Sequence, residues 1–283
     1  MTIEDIKEIW YRQVSYDYSC TVEELKNREF VLAKKAYHPN RRIFRGDDCF
    51  LKILVVGGKL VVNADDESFL IKNRNFFESA DAAWFFEPDN IRALDRMLAE
   101  YGHEVADAHH FYLPLGTSLK ENPVAGTESS KQEATVVERY LTVQEEPCET
   151  VLTDTGSLRW YEKEELEIFR GDARFKEALS FIETSPDMLA VTWKEKGEIL
   201  GMAGASADSA DMWQIGINVL PAGEHRGLGT FLVTALKEEI LNRGKVPFYG
   251  TAESHIRSQR VAVQSGFVPT WAELYTRRSS WQH

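Results

Sequence analysis

Apolar and polar positions switch periodicity repeatedly along this chain. Near the start, Ile3, Ile6 and Ile9 recur at three-residue spacing beside Trp10, which predicts a helix. Thr21-Val22-Glu23-Glu24 has the capping-box order and predicts a second. Phe50 to Val56 is an apolar, β-branched run; Gly57-Gly58 and then Lys59 to Val62 follow, which predicts a hairpin. A helix is expected over Glu67–Phe77 and a short buried strand over Ala83–Phe86. Asp89 is placed to cap a helix that carries Ile91, Leu94 and Leu98 on one face and ends at Gly102. His109 to Leu113 reads as a strand.

Residues 116–135 are rich in Gly, Ser, Thr, Glu and Lys, which marks a linker between domains. Val136 to Val143 and Ser157 to Tyr161 then read as strands, and Glu162–Phe169 and Ala173–Ile182 as helices. A hairpin is predicted from Met188–Trp193 and Glu198–Ala205 across Lys196-Gly197. Ile215, Ile217 and Val219 alternate at period two, and Pro221 ends that strand because it has no N–H to donate. Phe231, Leu232, Ala235, Leu236 and Ile240 share one side of a helix from about Thr230 to Asn242. Lys245–Ala252 reads as the next strand, and a last helix leads to Gly266-Phe267. The expected organisation is an N-terminal α/β domain over 1–115, a linker over 116–135 and a second domain over 136–283.

Charge and composition narrow the function. The formal net charge is -12, which argues against a nucleic-acid binder and suits a soluble protein or a cationic substrate. No apolar run nears the roughly eighteen residues a membrane span needs, and Met1-Thr2-Ile3-Glu4-Asp5 lacks the pattern of a secretory signal. Cys20, Cys49 and Cys148 are widely separated and suit free thiols. A cytoplasmic protein is expected. Arg41, Arg42 and Arg45 near a turn are read as a solvated face. His109 and His110 are neighbours on a strand and face opposite ways, so no metal site is expected from them.

The candidate chemistry lies at Glu224-His225-Arg226-Gly227-Leu228-Gly229-Thr230, between a strand and a helix. The first N–H groups of a helix lack intrahelical partners and the dipole is positive there, so glycines at this turn admit an anion. Val219-Leu220-Pro221, this turn, and the later run from Lys245 to Phe267 resemble, in order and spacing, the GNAT superfamily of acyl-CoA-dependent N-acetyltransferases. The resemblance covers the C-terminal half.

It implies an α+β fold with a mixed central sheet flanked by helices. It implies acetyl-CoA as co-substrate, with its pyrophosphate at the amides from His225 to Thr230 and its pantetheine along the strand edge at Ile217 and Val219. Glu224 stands where the family usually has Arg or Gln, so Arg226 is the candidate cation. His255 stands where Asn is common, with Ser258 one turn on and Ser254 placed to cap that helix. The acceptor would be a primary amine of a small molecule or peptide, attacking directly. Such chemistry needs a base and an acid. The family's usual tyrosine on the last helix is Ala262 here. Tyr249 and Tyr275 are the remaining acids, and Asp211, Glu198 and Glu253 the candidate bases. Trp213 and Trp271 suit core or groove wall. The competing class is an acyl-CoA-binding module without catalysis, which the missing tyrosine favours slightly.

Overall fold

The computed structural model describes residues 1–43, 49–115 and 156–279. The predicted linker 116–135, the predicted strand 136–143, Arg45 and Cys148 lie outside the described residues. The strands are β1 (Phe30–Lys34), β2 (Leu51–Val56), β3 (Lys59–Ala64), β4 (His103–Pro114) and β5 (Gly156–Glu162), then β6 (Asp187–Glu195), β7 (Glu198–Ala207), β8 (Met212–Val219), β9 (Val246–Ala252) and β10 (Phe267–Arg278). The helices are α1 (Ile3–Tyr18), α2 (Val22–Asn27), α3 (Glu67–Lys72), α4 (Arg74–Ser79) and α5 (Pro88–Ala99), then α6 (Leu228–Asn242) and α7 (Ile256–Gln264).

All ten described strands form one mixed sheet in the order β1-β3-β2-β10-β4-β9-β8-β7-β6-β5. β5 to β8 are an antiparallel series, and β8 runs parallel to β9. β4, from the first half of the chain, lies between β9 and β10 and is antiparallel to both. β10, from the end of the chain, pairs on its other edge with β2. The two halves therefore share backbone hydrogen bonds along both edges of β4.

Strand period two sends Phe248 to one face of β9 and Tyr249 to the other. α1 covers the Phe248 face, packing Ile6, Trp10 and Val14 with Phe111 and Trp271. α6 covers the opposite face, burying Leu228, Leu232, Leu236 and Ile240 against Val191 and Ile215. A third cluster joins α3, α4 and α5 to β2, β3 and β10 through Phe69, Phe77, Leu94, Ile53, Val62 and Leu274.

Several local expectations are corrected. Ala82–Trp84 is a 3-10 turn, not a strand; the Asp81 carboxylate accepts the Ala83 N–H at 2.9 Å, and Trp84 is exposed. The helix predicted over Glu67–Phe77 breaks at Asn73, whose side chain donates to the Phe69 carbonyl. Lys163–Phe169 is 3-10 rather than α, and only Ala173–Phe175 of the second predicted helix is helical. Helix α5 starts after Glu87 with Pro88 in its first turn, and Asp89 pairs with Arg92 instead of capping. Arg42 is buried, with its guanidinium between Asp17 and Glu273 at 2.6 Å from each. It crosses from α1 to β10 and is no part of a solvated face.

Candidate active site: a cleft between diverging strands

β8 and β9 pair only from Met212/Val246 to Ile215/Tyr249. Beyond that point β8 stays on β7 as far as Val219, while β9 stays on β4 as far as Ala252. The edges of Gly216–Val219 and Gly250–Ala252 that would meet are thus pulled apart. The opening is a cleft of about 970 Å³, with α6 and α7 at its mouth.

One wall is the segment from Lys176 to Ile182, which crosses the sheet over Gly216. A Cβ at Gly216 would lie 1.8 Å from the Glu177 carbonyl oxygen, so only glycine allows this crossing. Asn218 holds the crossing chain by accepting the Glu177 and Ala178 N–H groups, each at 2.9 Å.

The end of the cleft at the start of α6 is built by backbone. His225 and Gly227 both take left-handed conformations, at φ 60° and 70°. The first helical bond of α6 is from Phe231 N–H to the Gly227 carbonyl at 3.0 Å. The N–H groups of Leu228, Gly229 and Thr230 precede it, and no side chain caps them. Glu224, His225, Gly227, Leu228, Gly229 and Thr230 all line the cleft. Ile217 and Val219 line it from β8, and His255 and Ser258 from the start of α7. His255 itself is the N-cap residue of α7, without a side-chain cap bond, so Ser254 does not cap this helix.

Arg226 is not at the cleft. Its guanidinium pairs with Glu195 at the end of β6, and that bond holds it further above the usual arginine range. Arg257 and Arg260 line the cleft instead, and Arg257 lies 3.8 Å from the Glu224 carboxylate. They occupy one face of α7 at three-residue spacing, a pattern visible in the sequence once the helix is placed beside the turn.

Among the candidate proton donors, Tyr249 is at the apex where the strands part. Its ring is buried, and its hydroxyl lies 2.9 Å from Ser258 Oγ. Burial raises the phenol above its ordinary range, against the Ser258 hydrogen bond, so it stays protonated. Tyr275 does not line the cleft but faces a smaller pocket beside it. Ala262 is fully buried, pointing into the core.

The predicted bases are elsewhere. Asp211 is at the closed end of the β8–β9 pair, bound to Arg12 at 2.9 Å and Lys245 at 3.7 Å. Glu253 lies 3.6 Å from His110 Nε2, and Glu198 opens β7 opposite Glu195; neither lines the cleft. Asp208, in the β7–β8 turn, does line it, as do Glu177, Asp187 and Glu224, and Gln214 lies nearby on β8. Desolvation pushes the Asp208 carboxyl up to about 6, opposed by the Ser206 hydroxyl, which donates to it at 2.8 Å. Asp208-Ser209-Ala210-Asp211 reads as an ordinary polar turn, and no local pattern separates Asp208 from Asp211. Trp213 is buried in the core under α6, and Trp271 under α1. Among the described residues, no three His, Cys, Asp or Glu side chains converge as a metal site. No described helix is long and apolar enough to cross a membrane.

The sheet is thus opened between two parallel strands, with an uncapped helix N-terminus at the mouth of the opening. Residues 152–267 match the acetyltransferase (GNAT) family model, and the C-terminal half of this chain carries a domain of that family. The chain is similar to a GCN5-related N-acetyltransferase-like protein from Streptococcus suis, at 11% identity and a TM-score of 0.43, covering 97% of this chain and 100% of that one. It is also similar to an acetyltransferase of the GNAT family from Colwellia psychrerythraea, at 9% identity and a TM-score of 0.41, covering 98% and 97%. A GCN5-related N-acetyltransferase from Kribbella flavida gives 14% identity and a TM-score of 0.39 over 67% and 65%. No curated protein matches the chain.

Proposed function

We propose that this protein is an N-acetyltransferase that uses acetyl-CoA and a primary amine of a small molecule or peptide. The observation that carries the reading is Tyr249 at the apex of a cleft that the free edge of β8 and the uncapped start of α6 also line. The residues present fit acetyl-CoA. The amides of Leu228, Gly229 and Thr230 would hold the pyrophosphate, and the edge at Ile217 and Val219 would pair with the pantetheine amides. When bound, acetyl-CoA supplies the acetyl group as a thioester.

This chain's own residues then handle protons. Asp208, ionised near neutral pH, takes the proton from the ammonium form of the acceptor, directly or through a water held by Gln214. The Tyr249 hydroxyl, held by Ser258, donates a proton toward the leaving sulfur. The buried phenol replaces the tyrosine that the last helix lacks, which weighs against the non-catalytic binding module. A cytoplasmic location belongs to this reading. Free thiol release from acetyl-CoA across a panel of amines tests it. Acceptor-dependent release is expected; tight binding of acetyl-CoA with no release under any acceptor would leave only a binding module.

A further inference from the structure

Behind the cleft lies a second, smaller pocket with about 30 Å³ of free space. Ile43, Phe111, Asp208 and Gln214 line both, so the two adjoin at the candidate base. Its floor is supplied by the N-terminal half: Asp17, Tyr18, Lys35, Arg42 and Lys52, closed by Tyr275 of β10.

The charges in this pocket are not equally satisfied. Asp17 accepts from Gln13, from the Arg42 backbone N–H and from the Arg42 guanidinium. Arg42 also donates to Glu273 at 2.6 Å. Lys35 donates to the Cys49 carbonyl at 2.8 Å and lies 3.3 Å from Asp65. Lys52 differs. It is buried, and among the described residues its ammonium has one acceptor, the Asp17 carbonyl at 2.8 Å, and no carboxylate at ion-pair distance. The Tyr18 ring lies beneath it at 5.3 Å. An ammonium has three donors, and a buried charge without a counter-ion is costly. Burial accordingly holds Lys52 below the usual lysine range.

We infer that the acceptor carries a carboxylate beside its amine, with the carboxylate seated on Lys52 in the inner pocket and the amine facing Asp208 in the cleft. The inference rests on the acetyltransferase reading and specifies its substrate class as a small zwitterionic amino acid. Two further observations agree. A space of this size admits a carboxylate or a water or two but no larger group. Arg42 is paired with Asp17 and Glu273 and Lys35 with Asp65, which leaves Lys52, among the described residues, as the cation of this pocket that lacks a carboxylate. A bare amine would leave the Lys52 ammonium unpaired.

The test uses the full chain with acetyl-CoA and matched acceptors: leucine against isopentylamine, phenylalanine against phenethylamine, lysine against cadaverine. Thiol release is expected to favour the amino acid of a pair by on the order of ten- to a hundredfold in kcat/KM, through KM. Lys52→Met should collapse that ratio, and Lys52→Arg should restore part of it. Equal or better turnover of the amines, a ratio that survives Lys52→Met, or release with no member of any pair would overturn the inference. Calorimetry of acetyl-CoA alone separates the two readings, because failure to bind it sinks the enzyme assignment itself. In that event the same pairs, titrated directly, still decide whether the inner pocket prefers a carboxylate.

Discussion

Tyr249 Oη and Ser258 Oγ meet at 2.9 Å across the base of the cleft. One comes from a strand and the other from the helix that follows it. The bond aims a buried phenol at the point where β8 and β9 separate. Tyr249→Phe should lower kcat by about a hundredfold, the smaller end of what a general acid contributes. Ser258→Ala should lower it less, since the phenol stays and only its orientation loosens. Acetyl-CoA affinity by calorimetry should move little in either. Full thiol release by Tyr249→Phe would remove this residue from the chemistry.

Asp208 sets the acid limb of the rate. Its folded-state carboxyl is raised to about 6, above the ordinary value of 3.8. As a base it must be ionised, so kcat/KM should climb as pH rises through about 6. The stability effect has the opposite sign. The folded state holds this proton more tightly than the unfolded chain, so stability falls between about pH 4 and 6. Asp208→Asn should therefore abolish most turnover while raising Tm at pH 7. A variant that loses both activity and Tm would make the residue structural.

The anion end should depend on charge in an unequal way. Glu224 faces the cleft beside Arg257, and Arg226 is held away by Glu195. Glu224→Gln should tighten acetyl-CoA a fewfold and Arg257→Ala or Arg260→Ala should loosen it, all three effects shrinking with added salt. Arg226→Ala should act mainly on stability. Calorimetry at low and high salt distinguishes these; weaker binding in Glu224→Gln would mean the carboxylate holds the turn.

A cut within 116–135 tests how the halves are joined. β4 is hydrogen-bonded to β9 and β10, and β2 to β10. The cleaved halves should stay together on gel filtration in native buffer. Expressed alone, residues 136–283 should lack a cooperative thermal transition until 1–115 is added, because β9 and β10 then have no β4 between them. A cooperative melt of 136–283 by itself would support an independent C-terminal domain.

Arg42 should be a weak point of the fold. Removing one partner of a buried ion pair leaves the others uncompensated, which typically costs about 3–5 kcal/mol. Arg42→Met would strand Asp17 and Glu273 beneath α1. Urea unfolding should show that loss, and a change within error would mean water reaches both carboxylates.

Short-range chemistry in the sequence determined much of this protein. Alternation at Ile215, Ile217 and Val219, the proline that ends β8, and the glycine turn before an apolar-faced helix are local properties of consecutive residues. They specified the strand-turn-helix, with its uncapped helix start, without further help. So did the capping box at Thr21 and the hairpin at Gly57-Gly58. What only the tertiary structure decided depends on partners distant in sequence. Arg42 meets Glu273 across 231 positions, and no local pattern distinguishes it from neighbouring Arg41 or from any arginine near a turn. Asp208 lines the cleft while Asp211, three residues on, is bound by Arg12 across 199 positions. Tyr249 rather than Tyr275 reaches the apex because β4, laid down more than a hundred residues earlier, draws β9 away from β8. Local propensity chooses the elements; desolvation and charge pairing, which choose among identical side chains, exist only once distant segments are packed together.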